Sequence, residues 1–157
     1  HFKDSLSDAF DGDFIKGEVI QSTFQNSGND AIDISGSRLK IKNVQIEHAE
    51  DKGISAGENS RVSIEKLEVK QAKIAIASKD MSNIIVKNIS IEGSKIGFAV
   101  YQKKSEFGPA KINASNVRYN EIGDKFVLES GSKFLVDGSA KSAKHNQVYS
   151  LLYPKIN

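Results

Sequence analysis

The sequence predicts an all-β solenoid of about six coils, each about 22 residues long, stacked into one domain. Three observations carry that prediction. Apolar residues recur at a fixed period, with Phe10, Ile32, Ile54, Ile76 and Phe98 standing 22 apart. A second apolar set, Val19/Ser22/Phe24, Ile41/Val44/Ile46, Ile64/Leu67/Val69 and Val86/Ile89/Ile91, recurs at intervals of 22, 23 and 22. Within these sets β-branched residues alternate with polar ones, the pattern of strands and not of helices. Self-similarity at such a period is the mark of a repeat architecture, in which each unit buries its apolar face only by stacking on its neighbours.

Taken in chain order, each coil begins with a short strand around the Phe10 column. Two residues further on come Gly12, Ile34, Ala56, Ser78 and Val100, small or apolar groups suited to a narrow interior. The segments "LKIKNVQI", "VSIEKLEV" and "IIVKNISI" then read as two strands joined at a bend, because one extra residue interrupts their alternation. After Phe98 the next set, Ile112/Ser115/Val117, falls 26 residues on, which predicts a four-residue insertion near "YQKKSEFG" and a protruding loop. The period returns at "SGSKFLVD" (130–137), a near copy of "SGSRLKIK" (35–42). Coils therefore span about 8–138. The aperiodic tail 139–157 is expected to cap the last coil, as solenoid ends require.

The repeats "DAIDISGSRLKIKNVQI", "GISAGENSRVSIEKLEV" and "AIASKDMSNIIVKNISI" resemble the right-handed parallel β-helix, the fold of pectate-lyase-like enzymes and many bacterial surface proteins. That resemblance implies a secreted or cell-envelope location and a partner that is a polysaccharide or glycan surface. It leaves activity open, since the scaffold serves lyases, hydrolases, epimerases and inert fibres alike. The chain is expected to be one part of a larger protein.

Composition narrows the rest. The 157 residues carry 22 basic and 20 acidic side chains, a net charge of +2 that draws neither nucleic acid nor an anionic membrane. With no cysteine, neither a disulfide framework nor a thiolate metal site is available. No apolar run reaches the ~18–20 residues that span a bilayer.

Stacking turns a separation of 22 residues into about 4.8 Å, the spacing of paired strands. Asp11 and Asp33 thereby become neighbours on an outward column that continues as Ser55, Ala77 and Ala99, while Asp8 and Asp30 stack toward Lys52. Asp, Asn, Ser and Gly also serve turns, and that use accounts for many of them. Beyond turns, a polar groove for a glycan is expected from Asp11, Asp13, Asp33, Glu58, Lys79, Asp80, Tyr101 and the loop lysines Lys103 and Lys104, with Lys52 beside them. Hard oxygen ligands at Asp11, Asp13 and Asp33 admit a calcium ion. Were the protein an enzyme on acidic glycans, its working groups would come from Asp33, Lys52, Glu58, Lys79 and Asp80, a lysine of lowered pKa acting as base or a carboxylate pair hydrolysing the glycosidic bond. A third reading is a spacer or adhesin segment without ligand. His48 falls in a turn column with Asn26, Gln71 and Gly93, and His145 stands alone in the tail, so zinc has no ligand set.

Overall fold

A computed structural model describes residues 1–154. Its thirteen strands are β1 (Phe2–Ser5), β2 (Phe10–Asp13), β3 (Lys16–Ile20), β4 (Thr23–Ser27), β5 (Ile32–Ser35), β6 (Arg38–Gly57), β7 (Arg61–Lys79), β8 (Asn83–Glu92), β9 (Ile96–Tyr101), β10 (Lys111–Asn120), β11 (Asp124–Leu128), β12 (Lys133–Val136) and β13 (Ser139–Ala140). All pair in parallel except β12 with β13. They form a solenoid of about six coils. Each coil has three flat faces, and β6 and β7 bend around corners to serve more than one. The first face runs from β2 through β5 to β9 and β11, the second from β3 to β12, and the third carries β1, β4 and the later half of β10.

Corners are set by residues with left-handed backbone. One corner column is Gln21, Asn43, Lys66, Asn88, Asn116 and Asp137; another is Asp4, Asn26, His48, Gln71, Gly93 and Glu121; the third holds Phe14, Gly36, Glu58 and Asp80. Asn and Gly tolerate this conformation readily and bulky side chains do so at a cost. The bend inferred inside "LKIKNVQI" is thus the left-handed turn at Asn43, and His48 is a corner residue exposed to solvent.

The core is a stack of apolar ladders. Phe10 pairs with Ile32, Ile32 with Ile54, Ile54 with Ile76 and Ile76 with Phe98, and the four later members are fully buried. The ladder ends on Phe126. One correction concerns the insertion. Ile112 pairs with Ile84, not Val86, an offset of 28, so six residues are added where the spacing predicted four. Shifts of four and six both keep inward positions inward, since the strand period is two; alternation therefore cannot tell them apart.

A second ladder is polar. Ile15 donates its amide to the Ser37 Oγ (2.9 Å), Ser37 to the Ser60 Oγ (3.0 Å), Ser60 to the Ser82 Oγ (3.1 Å) and Ala110 to the Ser132 Oγ (3.1 Å). Each hydroxyl accepts an amide that the strand ladder leaves without a carbonyl at the corner, and Ser60 in turn donates to the Gly57 carbonyl at 2.7 Å. Ser60→Ala is expected to cost about 1–3 kcal/mol by stranding the buried Ser37 amide. Urea unfolding measures the loss, and Ser60→Thr, which keeps the hydroxyl, recovers most of it.

The tail does two things. Residues 139–145 lie along the last coil: β13 pairs antiparallel with β12, Lys141 donates to the Phe134 carbonyl, and Ser130 donates to the His145 carbonyl. The chain then turns back, and a short helix, α1 (Val148–Leu152), packs laterally over the outer side of the first face. The part of the predicted cap at 155–157 lies outside the described residues.

Candidate functional site

The outer side of the first face changes character along the stack. Its central column reads Asp11, Asp33, Ser55, Ala77, Ala99 and Val127 by strand pairing. The acidic end is open, whereas Ala77, Ala99 and Val127 are buried beneath Val148, Leu152 and Tyr153. Apolar residues at outward positions need a cover, and the tail supplies it. The groove predicted along all coils is therefore cut to its first half. Tyr101, expected to face a ligand, is 1% exposed with its ring against Tyr149 (6.4 Å between centroids), and burial drives its hydroxyl pKa well above the ordinary value.

At the boundary between open and covered halves lies a buried ionic cluster. Asp30 accepts the Lys52 backbone amide at 2.9 Å and the Lys52 ammonium at 3.2 Å. The same ammonium bonds Asp51, which also accepts the Tyr153 hydroxyl at 2.8 Å and lies 3.6 Å from Lys73. Lys73 in turn stands 4.0 Å over the Tyr153 ring. Burial pushes the Asp30 carboxyl up to about 6 against the pull of Lys52, with Asp33 and Asp51 adding to the rise. Burial works to raise Asp51 too, but the bonds from Lys52 and Tyr153 outweigh it and hold Asp51 below its ordinary value. For Lys52 burial is likewise outweighed, and Asp30 and Asp51 keep it charged. This cluster is a latch that ties the tail to coils two and three.

Other predicted groups are spent on the loop. Asp80, 1% exposed, accepts the backbone amides of Lys103 (2.6 Å) and Lys104 (2.8 Å). Glu58 is bonded by the Lys104 ammonium. Gln102 donates its amide to Glu129 at 3.0 Å. The inserted loop is thus folded back on the corner column. Of the catalytic candidates, Lys52, Glu58 and Asp80 are all committed to structure.

Asp33 and Lys79 remain. The Lys79 side chain passes over Gly57, where a Cβ would lie 3.5 Å from its Cε, and reaches Asp33 two coils away with an Nζ to Oδ1 distance of 3.8 Å. No hydrogen bond closes that gap. Asp33 Oδ1 and the Ser55 Oγ are buried and without a hydrogen-bond partner, although buried polar atoms are almost always satisfied. Burial lowers the Lys79 pKa, Asp33 opposes the fall and Lys52 adds to it. Asp11 and Asp13 lie beside this spot on the exposed rim. Weak burial and then Asp13, Asp33 and Asp8 raise the Asp11 carboxyl.

The calcium site expected at Asp11, Asp13 and Asp33 is not formed: no group of three or more His, Cys, Asp or Glu side chains among the described residues is arranged to hold a metal. Asp11 and Asp13 are about 7 Å apart along one strand, and Asp33 turns to Lys79. The three arginines, Arg38, Arg61 and Arg118, lie on the other two faces. Missing from the sequence-based set are Asp51, Ser55, Gly57 and the role of Tyr153. The column itself held the signal, since a change from Asp to Ser to Ala at one outward position marks where a cover begins.

A family model described as a right-handed β-helix region matches residues 11–148. No curated protein and no solved structure gives a match.

Proposed function

Because the chain belongs to the right-handed β-helix family, we propose that it is a carbohydrate-binding module whose site is the open end of the first face. One observation carries this reading: Asp33, Ser55 and Lys79 form a donor and acceptor group with unfilled valences beside the exposed Asp11 and Asp13. Glycan hydroxyls both donate and accept, so one sugar edge can donate to Asp33 and accept from Lys79, provided the ammonium moves by about the length of a hydrogen bond. On this reading the partner is a glycan outside the cell or in its envelope, and Tyr153 and the latch form one wall of the site.

A second reading is catalysis by the same pair on an acidic glycan. Lys79 favours it, since burial, only partly opposed by Asp33, brings the ammonium closer to the neutral amine a base must be. Glycan-array binding and an assay for new reducing or unsaturated ends distinguish the two. We expect binding without new ends, and a fall of at least tenfold, about 1.4 kcal/mol, in both Asp33→Asn and Lys79→Met at unchanged melting temperature. Absence of any glycan binding by the wild type, or variants that bind as well as it does, overturns the proposal.

A further inference from the structure

The second face carries a row of stacked cations that no other column repeats among the described residues. Strand pairing places Lys16 beside Arg38, Arg38 beside Arg61, Arg61 beside Asn83, Asn83 beside Lys111 and Lys111 beside Lys133. Five of these six stacked positions are cations, and all six side chains are exposed. Five intervals of about 4.8 Å make a straight row of about 24 Å along the solenoid axis.

Three exposed pairs on the second and third faces neutralise charge between neighbouring coils. Lys40 meets Glu18 at 3.1 Å, Lys42 meets Glu65 at 3.2 Å and Lys70 meets Glu92 at 3.9 Å, each pair one coil apart. None of the five cations in the row takes part in an ion pair among the described residues. Like charges directly opposite each other on neighbouring strands are destabilising. Keeping the sheet soluble and its edges unpaired requires charge but not charge of one sign, and the adjacent column, with Glu18 and Lys40, does it with both. The row therefore needs another explanation.

We propose that the row binds an extended acidic polysaccharide lying along the solenoid axis, with a carboxylate or sulfate on successive sugars meeting successive coils. Arg38 and Arg61 supply planar forks that grip either anion through two parallel hydrogen bonds. A shallow groove lined by Gly17, Leu39, Val62, Ser63 and Ile85 runs beside the row and gives the sugar rings an apolar floor. Single-stranded nucleic acid fits less well, because it is held by aromatic platforms for successive bases, whereas the exposed large hydrophobics of this face are Ile20 and Ile85, and the exposed Phe14 and the half-buried Phe107 stand beside Arg38 at one corner only. A straight row also matches a straight chain better than the winding backbone of a duplex. This site is separate from the one formed by Asp33 and Lys79 and does not depend on it.

The test titrates the whole protein with polygalacturonate for carboxylate and dextran sulfate for sulfate, with uncharged dextran and both single- and double-stranded DNA as controls. Arg38→Gln with Arg61→Gln is expected to weaken polyanion binding at least tenfold and to reduce the slope of log K against log salt by about one to two. Lys70→Gln with Arg118→Gln removes the same charge from the third face and is expected to leave binding within about twofold of wild type. Preference for sulfate or carboxylate identifies which anion the row reads. The proposal is overturned if neither polysaccharide binds, if the third-face pair weakens binding as much as the row, or if either DNA binds through the row more tightly than the polysaccharides.

Discussion

Lys52→Met is expected to lower the unfolding free energy by about 3–5 kcal/mol at neutral pH, the cost of leaving a buried counter-charge unpaired. The Lys52 side chain is 8% exposed and its ammonium bonds both Asp30 and Asp51, which are 2% and 16% exposed. Removing it leaves two carboxylates of neighbouring coils facing each other beside the tail's Tyr153. The loss is expected to depend on pH. In the wild type Asp30, raised from 3.8 to about 6, contributes most below its ordinary value, and that contribution disappears as pH rises through about 6. Asp51, held low, contributes above its ordinary value and is lost only in acid. Without Lys52 the main pull against burial at Asp30 is gone, so Asp30 favours the protonated fold more strongly, and stability is expected to fall more steeply from pH 4 to 7 than in the wild type. Denaturant unfolding at pH 4.5 and 7 checks this: the variant's deficit should shrink at the lower pH, and Asp30→Asn in the Lys52→Met background should restore part of it at pH 7. An equal deficit at both pH values would mean that Lys52 acts by packing its stem and not by its charge.

The architecture was legible because a solenoid writes its geometry as a period. The Phe10 column from Phe10 to Phe98 recurs every 22 residues, and the corners from Gln21 to Asn88 follow at 22, 23 and 22. The loop offset was not, since strand alternation is blind to a shift of two residues. The candidate site was half legible. The period places Asp33 and Lys79 on the same outer strip, and in the structure they lie 3.8 Å apart, but nothing local to "YSLLY" says that it folds back over Ala77 and Ala99 instead of ending the stack. That outcome depends on contacts about a hundred residues apart, such as the Tyr153 hydroxyl on Asp51. The serine ladder went unread for a different reason: serine at a turn has a sufficient local use there, which hides its role as an acceptor for the coil before it.

The outer surface thus has two columns of stacked like charge, acidic Asp11 and Asp33 on the first face, with Lys79 3.8 Å from Asp33, and basic Lys16, Arg38 and Arg61 on the second. Each carries a repulsion of under ~1 kcal/mol per neighbouring pair in water. A fold that pairs Lys40 with Glu18 and Lys42 with Glu65 has the means to remove such repulsion. Its persistence in two separate places is what joins the two proposed binding surfaces into one picture, a short rod with a compact hydroxyl-reading end and an extended anion-reading side.

Phe98→Ala is expected to cost about 3–5 kcal/mol, and Phe10→Ala in the same ladder distinctly less, about 1.5 kcal/mol or below. The two residues occupy one column four coils apart, so sequence position alone assigns them equal roles. Packing separates them. Phe98 is fully buried, 4.9 Å from the Phe134 ring and 6.4 Å from the Tyr119 ring, in an aromatic cluster with Phe126 that fills the coils on either side of the six-residue insertion. Truncation there opens a cavity whose walls are held by strands on both sides and cannot close in. Phe10 is half-buried, with Gly12 and Ile15 of its own coil beside it and Ile32 of the next coil as its strand partner. In a stack whose stability is a sum of unit and interface terms, a fully buried side chain packed between two coils gives up more than a half-buried one. Urea unfolding of both variants measures the difference, and equal losses would show that the ladder shares its energy evenly along the rod and that the aromatic cluster adds nothing to it.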